Sequence, residues 1–225
     1  AAQSMTQKPL EEEQIQLFFS DIEPLATSKV LVLLENETLS IGERVLAQEL
    51  QLTVRGQDKI GIIGPNGVGK STLLGKLQQL LSDKSEISLG FMPQDYQETL
   101  QLDLSPVEFL SQTGHKEELQ KIQSFLASLN FSYPEMHHQI RSLSGGQQGK
   151  LLLLNLVLRK PNFLLLDEPT RNFSPTSQPE IRKLFANYPG GLVTVSHDRR
   201  FLKEVCKSIY RLSENGLEVV DLQDL

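Results

Sequence analysis

The sequence predicts an α/β fold: a mostly parallel core sheet with helices on its faces, an antiparallel β subdomain at the N-terminal end, and a helical subdomain inserted in between. Three observations carry this. From residue 59 onward, short apolar runs alternate with helical segments, the pattern of parallel strands joined by helices. The stretch before it is rich in β-branched and apolar residues and lacks helix caps. Between 105 and 140 the apolar residues recur at helical spacing.

The elements follow in order. IQLFF (15–19), KVLVLLENETLS (29–40) and QELQLTV (48–54) read as strands, and KIGII (59–63) as a buried strand. GPNGVGK (64–70) is a Gly-rich turn opening a helix, STLLGKLQQLL (71–81). ISLGFMPQ (87–94) is a strand. SPVEFL and HKEELQKIQSFLASL are helical. SGGQQGKLLLLNLVLRK (144–160) is a helix capped by Ser144 and stopped by Pro161. NFLLLDE is a strand, and SQPEIRKLFANY (177–188) is a helix with Ser177 as its expected cap. GLVTVS (191–196) is a strand and HDRRFLKEVC (197–206) a helix. SIYRLSENGLEVVDL closes as a hairpin turned at Glu-Asn-Gly.

Composition sets bounds. At 225 residues, 39 % hydrophobic and 22 % charged, the chain can bury a core without staples. The single cysteine, Cys206, rules out an internal disulfide and fits a reducing, cytoplasmic compartment. It falls on an apolar helix face and reads as packing. No run approaches the roughly 18 apolar residues of a membrane span. A net charge of −6 argues against this segment alone gripping nucleic acid by charge.

Two motifs point to phosphate chemistry. GPNGVGKS matches G-x-x-x-x-G-K-[ST] between a strand and a helix, the context such a loop requires. Backbone N–H groups of Gly64, Pro65–Asn66, Gly67, Val68 and Gly69, with the helix start at Lys70, Ser71 and Thr72, can close around phosphates (Pro65 itself has no N–H to give). Lys70 reaches the β- and γ-phosphates and Ser71 can ligate Mg²⁺. LLLDE (164–168) puts two carboxylates at the tip of an apolar strand, where a core tolerates them poorly and a ligand edge uses them. Asp167 suits Mg²⁺, held at the end of a strand beside the loop, and Glu168 suits polarising a water in line with the γ-phosphate. LSGGQ (143–147) opens a second helix, so Ser144, Gly145, Gly146 and Gln147 form a second anion site. One nucleotide does not need two such sites on one domain. The sensible use is in trans, on the γ-phosphate of a partner domain.

With LSGGQ about twenty residues before the Asp-Glu pair, the chain resembles the ATP-binding cassette (ABC) family of phosphate-loop (P-loop) NTPases over nearly its whole length. The resemblance implies an ABC-type ATPase with ATP and Mg²⁺. It also implies two further residues. Gln94, in FMPQDY, matches the glutamine that contacts Mg²⁺ and the attacking water, and His197, in VTVSHDRR, matches the histidine that contacts the γ-phosphate. VSHDRRFL, LSGGQ-x-x-K and PN-x-LLLDEPT look like the ABC-F subfamily, soluble proteins with two ABC domains on one chain that act on the ribosome. After DEPT, many of these carry Asn-His-Leu-Asp. Here Arg171-Asn172-Phe173-Ser174-Pro175 stands there, which resembles the C-terminal domain of the Vga- and Lsa-like antibiotic-resistance branch. Ser174 thus replaces an aspartate that couples the two nucleotide sites in the family. Arg171 either compensates or lies on the surface.

A second departure is Ile41, where the family usually stacks adenine on a ring. The resemblance implies a second ABC domain as partner and the ribosome as target of a longer chain. Residues 1–13 then read as a tag or linker remnant and 14–225 as one ABC domain, with the helical subdomain at about 100–160. The competing reading is the nucleotide-binding subunit of a membrane transporter. A DNA-repair ABC ATPase would need a long coiled coil, and only about seventy residues separate the loop from LSGGQ.

Overall fold

The computed structural model describes residues 17–225. The expected remnant at 1–13, and the first half of the strand expected at 15–19, lie outside the described residues. Residues 17–19 are not a strand. Leu17 is buried, and the Phe19 ring meets that of Tyr188 edge-on at 4.8 Å. Their apolar character serves packing, not pairing.

β1 (Val30–Ile41) and β2 (Arg44–Arg55) form an antiparallel hairpin, a two-stranded sheet of its own. β2 begins four residues before the alternation predicts, because Ile41 pairs with Arg44 across a tight turn at Gly42. β3 (Lys59–Ile63) leads into α1 (Lys70–Ser82), followed by β4 (Leu89–Met92). The helical stretch then breaks into α2 (Pro106–Leu110), α3 (Lys116–Ser128) and α4 (Tyr133–His137) before the longer α5 (Gly145–Arg159). β5 (Phe163–Asp167), α6 (Gln178–Ala186), β6 (Gly191–Val195), α7 (Arg199–Val205), β7 (Ser208–Ser213) and β8 (Gly216–Val220) complete the chain.

Six strands make the main sheet in the order β4-β5-β6-β3-β7-β8. All neighbours are parallel except β7 and β8, the expected terminal hairpin. β6 runs between β3 and β5, so the strand carrying the carboxylates is the second neighbour of the loop strand. That order brings the ends of β3, β5 and β6 to one edge.

The run Phe163–Leu166 shows how the sheet is buried. Leu164 and Leu166 belong to the core shared with α5 and α6, whereas Phe163 and Leu165 belong to the core filled by Leu73, Leu74 and Leu77 of α1. Side chains alternate along a strand, so a continuous apolar run serves two faces. The same parity turns Asp167 toward the α1 side.

Helix ends follow local chemistry. Ser105, Ser132 and Ser144 each close a capping box with Glu108, Glu135 and Gln147. Ser177 does not cap α6: its backbone is helical, and its hydroxyl instead accepts from Ser174 Oγ at 3.2 Å. Pro179 in the first turn lacks an N–H to satisfy. Cys206 is buried, and burial pushes its thiol up to about 12, as expected of a packing residue.

Tyr188 ties α6 to the start of β5. It is 1 % exposed, and its hydroxyl donates to the Pro161 carbonyl at 2.7 Å. Its own carbonyl accepts from Lys59 Nζ at 2.5 Å. Tyr188→Phe leaves the Pro161 carbonyl without that donor and is expected to cost about 1–3 kcal/mol. Urea unfolding of the two proteins checks this.

Candidate functional site

The site lies where β3, β5 and β6 end. After β3 the chain turns through residues 64–69 into α1. Gly67 and Gly69 have φ of 80° and 109°, a region that favours glycine. A Cβ at Gly69 would also approach Leu46 Cδ1 at 3.0 Å. No side chain caps α1. Its first N–H groups, with the positive end of the helix dipole, are open to an anion.

Lys70 begins that helix and is 7 % exposed. Its Nζ donates to the carbonyls of Gly64 at 2.5 Å and Pro65 at 3.0 Å, so the ammonium is held over the loop. Burial lowers its pKa, opposed by the charges of Glu168 and Asp167. Ser71 Oγ donates to Asp167 Oδ2 at 2.8 Å, the contact that the strand parity sets up. Asp167 Oδ1 is buried with no hydrogen-bond partner. A hydroxyl beside a carboxylate with one unanswered oxygen suits a hard, oxygen-seeking cation. Among the described residues no three or more His, Cys, Asp or Glu side chains gather as a metal site. Further ligands would have to come from amide, phosphate or water oxygens.

Glu168 follows in a left-handed conformation, φ 50°, unusual for a side chain of its size. The strain, on the order of 1–3 kcal/mol, is held by contacts on β6 and beyond. The Glu168 N–H donates to the Val195 carbonyl at 2.8 Å, and its Oε2 accepts from the His197 N–H at 3.2 Å. His197 Nε2 lies 3.4 Å from Oε1. Burial raises the pKa of both Asp167 and Glu168.

A raised carboxylate pKa means the folded chain binds more protons than the unfolded one between the two values. The ionised group therefore costs stability once the pH is above that window. Asp167→Asn is expected to raise the melting temperature of the nucleotide-free chain at neutral pH, by about 2–4 °C if ~1 kcal/mol is relieved. The gain should vanish below about pH 4, where even the unfolded carboxylate is protonated. Melting curves at several pH values check it.

These groups line one cleft of about 860 Å³. Of the residues singled out in the sequence, it gathers Asn66, Gly67, Gly69, Lys70, Ser71, Thr72, Gln94, Asp167, Glu168 and His197. Gly64, Pro65 and Val68 belong to the same loop but do not line the cleft. The hairpin β1–β2 adds Ile41, Arg44 and Leu46 to the wall, and no Phe, Tyr or Trp lines it.

Ser144, Gly145, Gly146 and Gln147 do not line this cleft. Gly145 borders an adjacent one. Gln147 is tied to the backbone of Ser144 and to Glu135. A Cβ at Gly145 or Gly146 would meet nothing within 4 Å, so nothing in the chain's own packing demands glycine there.

Sequence reasoning missed Arg44, Thr170, Gln178 and Asp198 on the wall. Thr170 Oγ1 donates to Asp198 Oδ2 at 3.0 Å, and Asp198 caps α7. An aspartate directly before a helix was a readable cap signal. Its partner across the sheet was not.

A family model described as "ABC transporter" matches residues 47–171, more than half of the chain. This chain belongs to the ABC transporter family. It is an ABC ATPase domain. Among curated proteins it is similar to the probable ATP-binding protein YheS of Escherichia coli K12, 30 % identical over 210 residues, covering 90 % of this chain and 33 % of YheS. ABC transporter F family member 2 of Arabidopsis thaliana is 27 % identical over 223 residues, covering 96 % and 33 %. The chain thus spans about a third of the length of these relatives. Among solved structures, the ATP-binding cassette MJ0796, a dimer in a post-hydrolysis state with ADP and Pi, aligns with a TM-score of 0.69 at 20 % identity. The alignment covers 84 % of this chain and 97 % of that one, and it bears out the fold. No helix among the described residues is long and apolar enough to cross a membrane.

Proposed function

We propose that the chain is one jaw of an ATP-driven clamp in an ABC-F protein of the cytoplasm. One observation carries this above all: the chain has two helix starts suited to an anion, and only that of α1 lines the cleft that holds Lys70, Glu168 and His197. Ser144, Gly145, Gly146 and Gln147 would close on the γ-phosphate held by a second ABC domain, placed head to tail. That domain is the other half of a longer chain or a second copy of this one.

In the cleft, the N–H groups from Gly64 to Thr72 bind the phosphates and Lys70 bridges the β- and γ-phosphates. Ser71, Gln94 and Asp167 would hold Mg²⁺, and the orphaned Asp167 oxygen fits that use. Bound there, the cation supplies charge neutralisation for phosphoryl transfer. Glu168, raised in pKa and fixed by the His197 N–H, orients and polarises the attacking water. His197 stands at the γ-phosphate end. Catalysis is positioning plus charge stabilisation. Ile41 and Leu46 give the base an apolar wall in place of a ring.

The ABC-F reading is supported by VSHDRRFL and by relatives named as F family members. DEPTRNFSP favours the antibiotic-resistance branch, acting on the ribosome. The test is to sediment the longer protein, carrying Glu168→Gln, with bacterial ribosomes. ATP-dependent co-pelleting supports it. No binding under either condition would turn the reading to a transporter subunit with a membrane partner.

A further inference from the structure

The geometry points to Arg171 as a phosphate-binding residue of the chain's own cleft, one that selects triphosphate over diphosphate. This rests on the ATP reading of the cleft and goes beyond it, because the loop after the carboxylates has no assigned ligand contact.

The loop is pinned around Arg171 and leaves its side chain free. The Arg171 N–H donates to the Glu168 carbonyl at 3.2 Å. Thr170, 3 % exposed, is held through Asp198. Gln178 Nε2 reaches the carbonyls of Thr170 at 3.3 Å and Phe173 at 3.1 Å. The Asn172 side chain is hydrogen-bonded to Tyr96. Phe173, 6 % exposed, fills a notch left by Gly149 of α5, where a Cβ would lie 2.7 Å from its ring. Every neighbour has a structural partner. Arg171 is exposed, and no carboxylate among the described residues lies within ion-pair distance.

Its place in the cleft narrows its use. Two clefts meet here, and four residues line both: Ser71, Gln94, Asp167 and Arg171. Arg171 thus sits at the cation and terminal-phosphate end, away from Ile41 and Arg44. Its charge is felt at the Asp167 carboxylate. A guanidinium offers a planar fork of donors that fits phosphate oxygens and loses less rotamer freedom per hydrogen bond formed than an ammonium does. Diphosphate would end short of it.

The test measures affinity by calorimetry for ADP and for a non-hydrolysable ATP analogue, at concentrations where the chain is monomeric. Arg171→Ala should weaken the ATP analogue about 10–100-fold, the range of a charge-assisted hydrogen bond, and leave ADP within about twofold. Arg171→Lys should fall between, since it keeps charge but not the fork. Equal weakening of both nucleotides, or no change in either, overturns the assignment while leaving the ATP site standing. An unaltered chain that binds neither nucleotide overturns both.

Discussion

Lys70→Ala is expected to remove measurable Mg·ATP binding from a chain that still folds. The ammonium is held over the loop by two carbonyls, between the phosphate cradle and the Asp167–Glu168 pair. With nucleotide bound it would exchange those carbonyls for phosphate oxygens. Hydrogen bonds between charged groups contribute about 1.5–3 kcal/mol each, so losing two weakens binding about 10²–10⁴-fold. Stability should change little, because Pro65 is exposed and Gly64 half-buried, so water can reach the freed carbonyls. Calorimetry with Mg·ATP, alongside a melting curve, separates the two. Undiminished affinity would remove the loop from nucleotide binding.

Glu168→Gln is expected to leave ATP binding intact and to slow turnover about 10²–10⁴-fold, the range of a general base. The amide keeps the shape, and its oxygen can still accept the His197 N–H. It loses the charge that polarises water. The split is the diagnostic: affinity tracks Lys70 and the loop, turnover tracks Glu168. Phosphate release measured under saturating ATP reads it. A variant as fast as the parent would mean another group activates the water.

Much of this site was legible in the chain, for local reasons. GPNGVGKS names its own context, since glycines at 67 and 69 are needed for positive φ and the helix that follows needs no cap. Ser144 with Gln147 three residues on is a capping box that any reading would find. Phe163–Asp167 shows a buried strand with a charged tip, and its parity alone turns Asp167 toward α1. What was hidden depends on distant residues. That β6 separates β3 from β5 is a matter of topology, and no window of sequence holds it. The 15–19 run looked like a strand because apolar periodicity cannot distinguish pairing from the packing of Phe19 on Tyr188. Ser177 had the right chemistry for a cap, but Pro179 had removed one donor and Ser174 engaged its hydroxyl. Arg171 was undecidable from sequence. Its freedom shows only once Phe173 is seen seated against Gly149.

The clamp is the centre of this account, and the mass of the Glu168→Gln chain in solution tests it most directly. Light scattering would be run without nucleotide, with Mg·ADP and with Mg·ATP, beside a variant that also carries Ser144→Arg. A monomer is expected in the first two conditions, a dimer with Mg·ATP, and a monomer again when Ser144→Arg blocks the helix start that meets the partner's phosphate. A monomer that binds Mg·ATP without associating, or a dimer indifferent to Ser144→Arg, would contradict it.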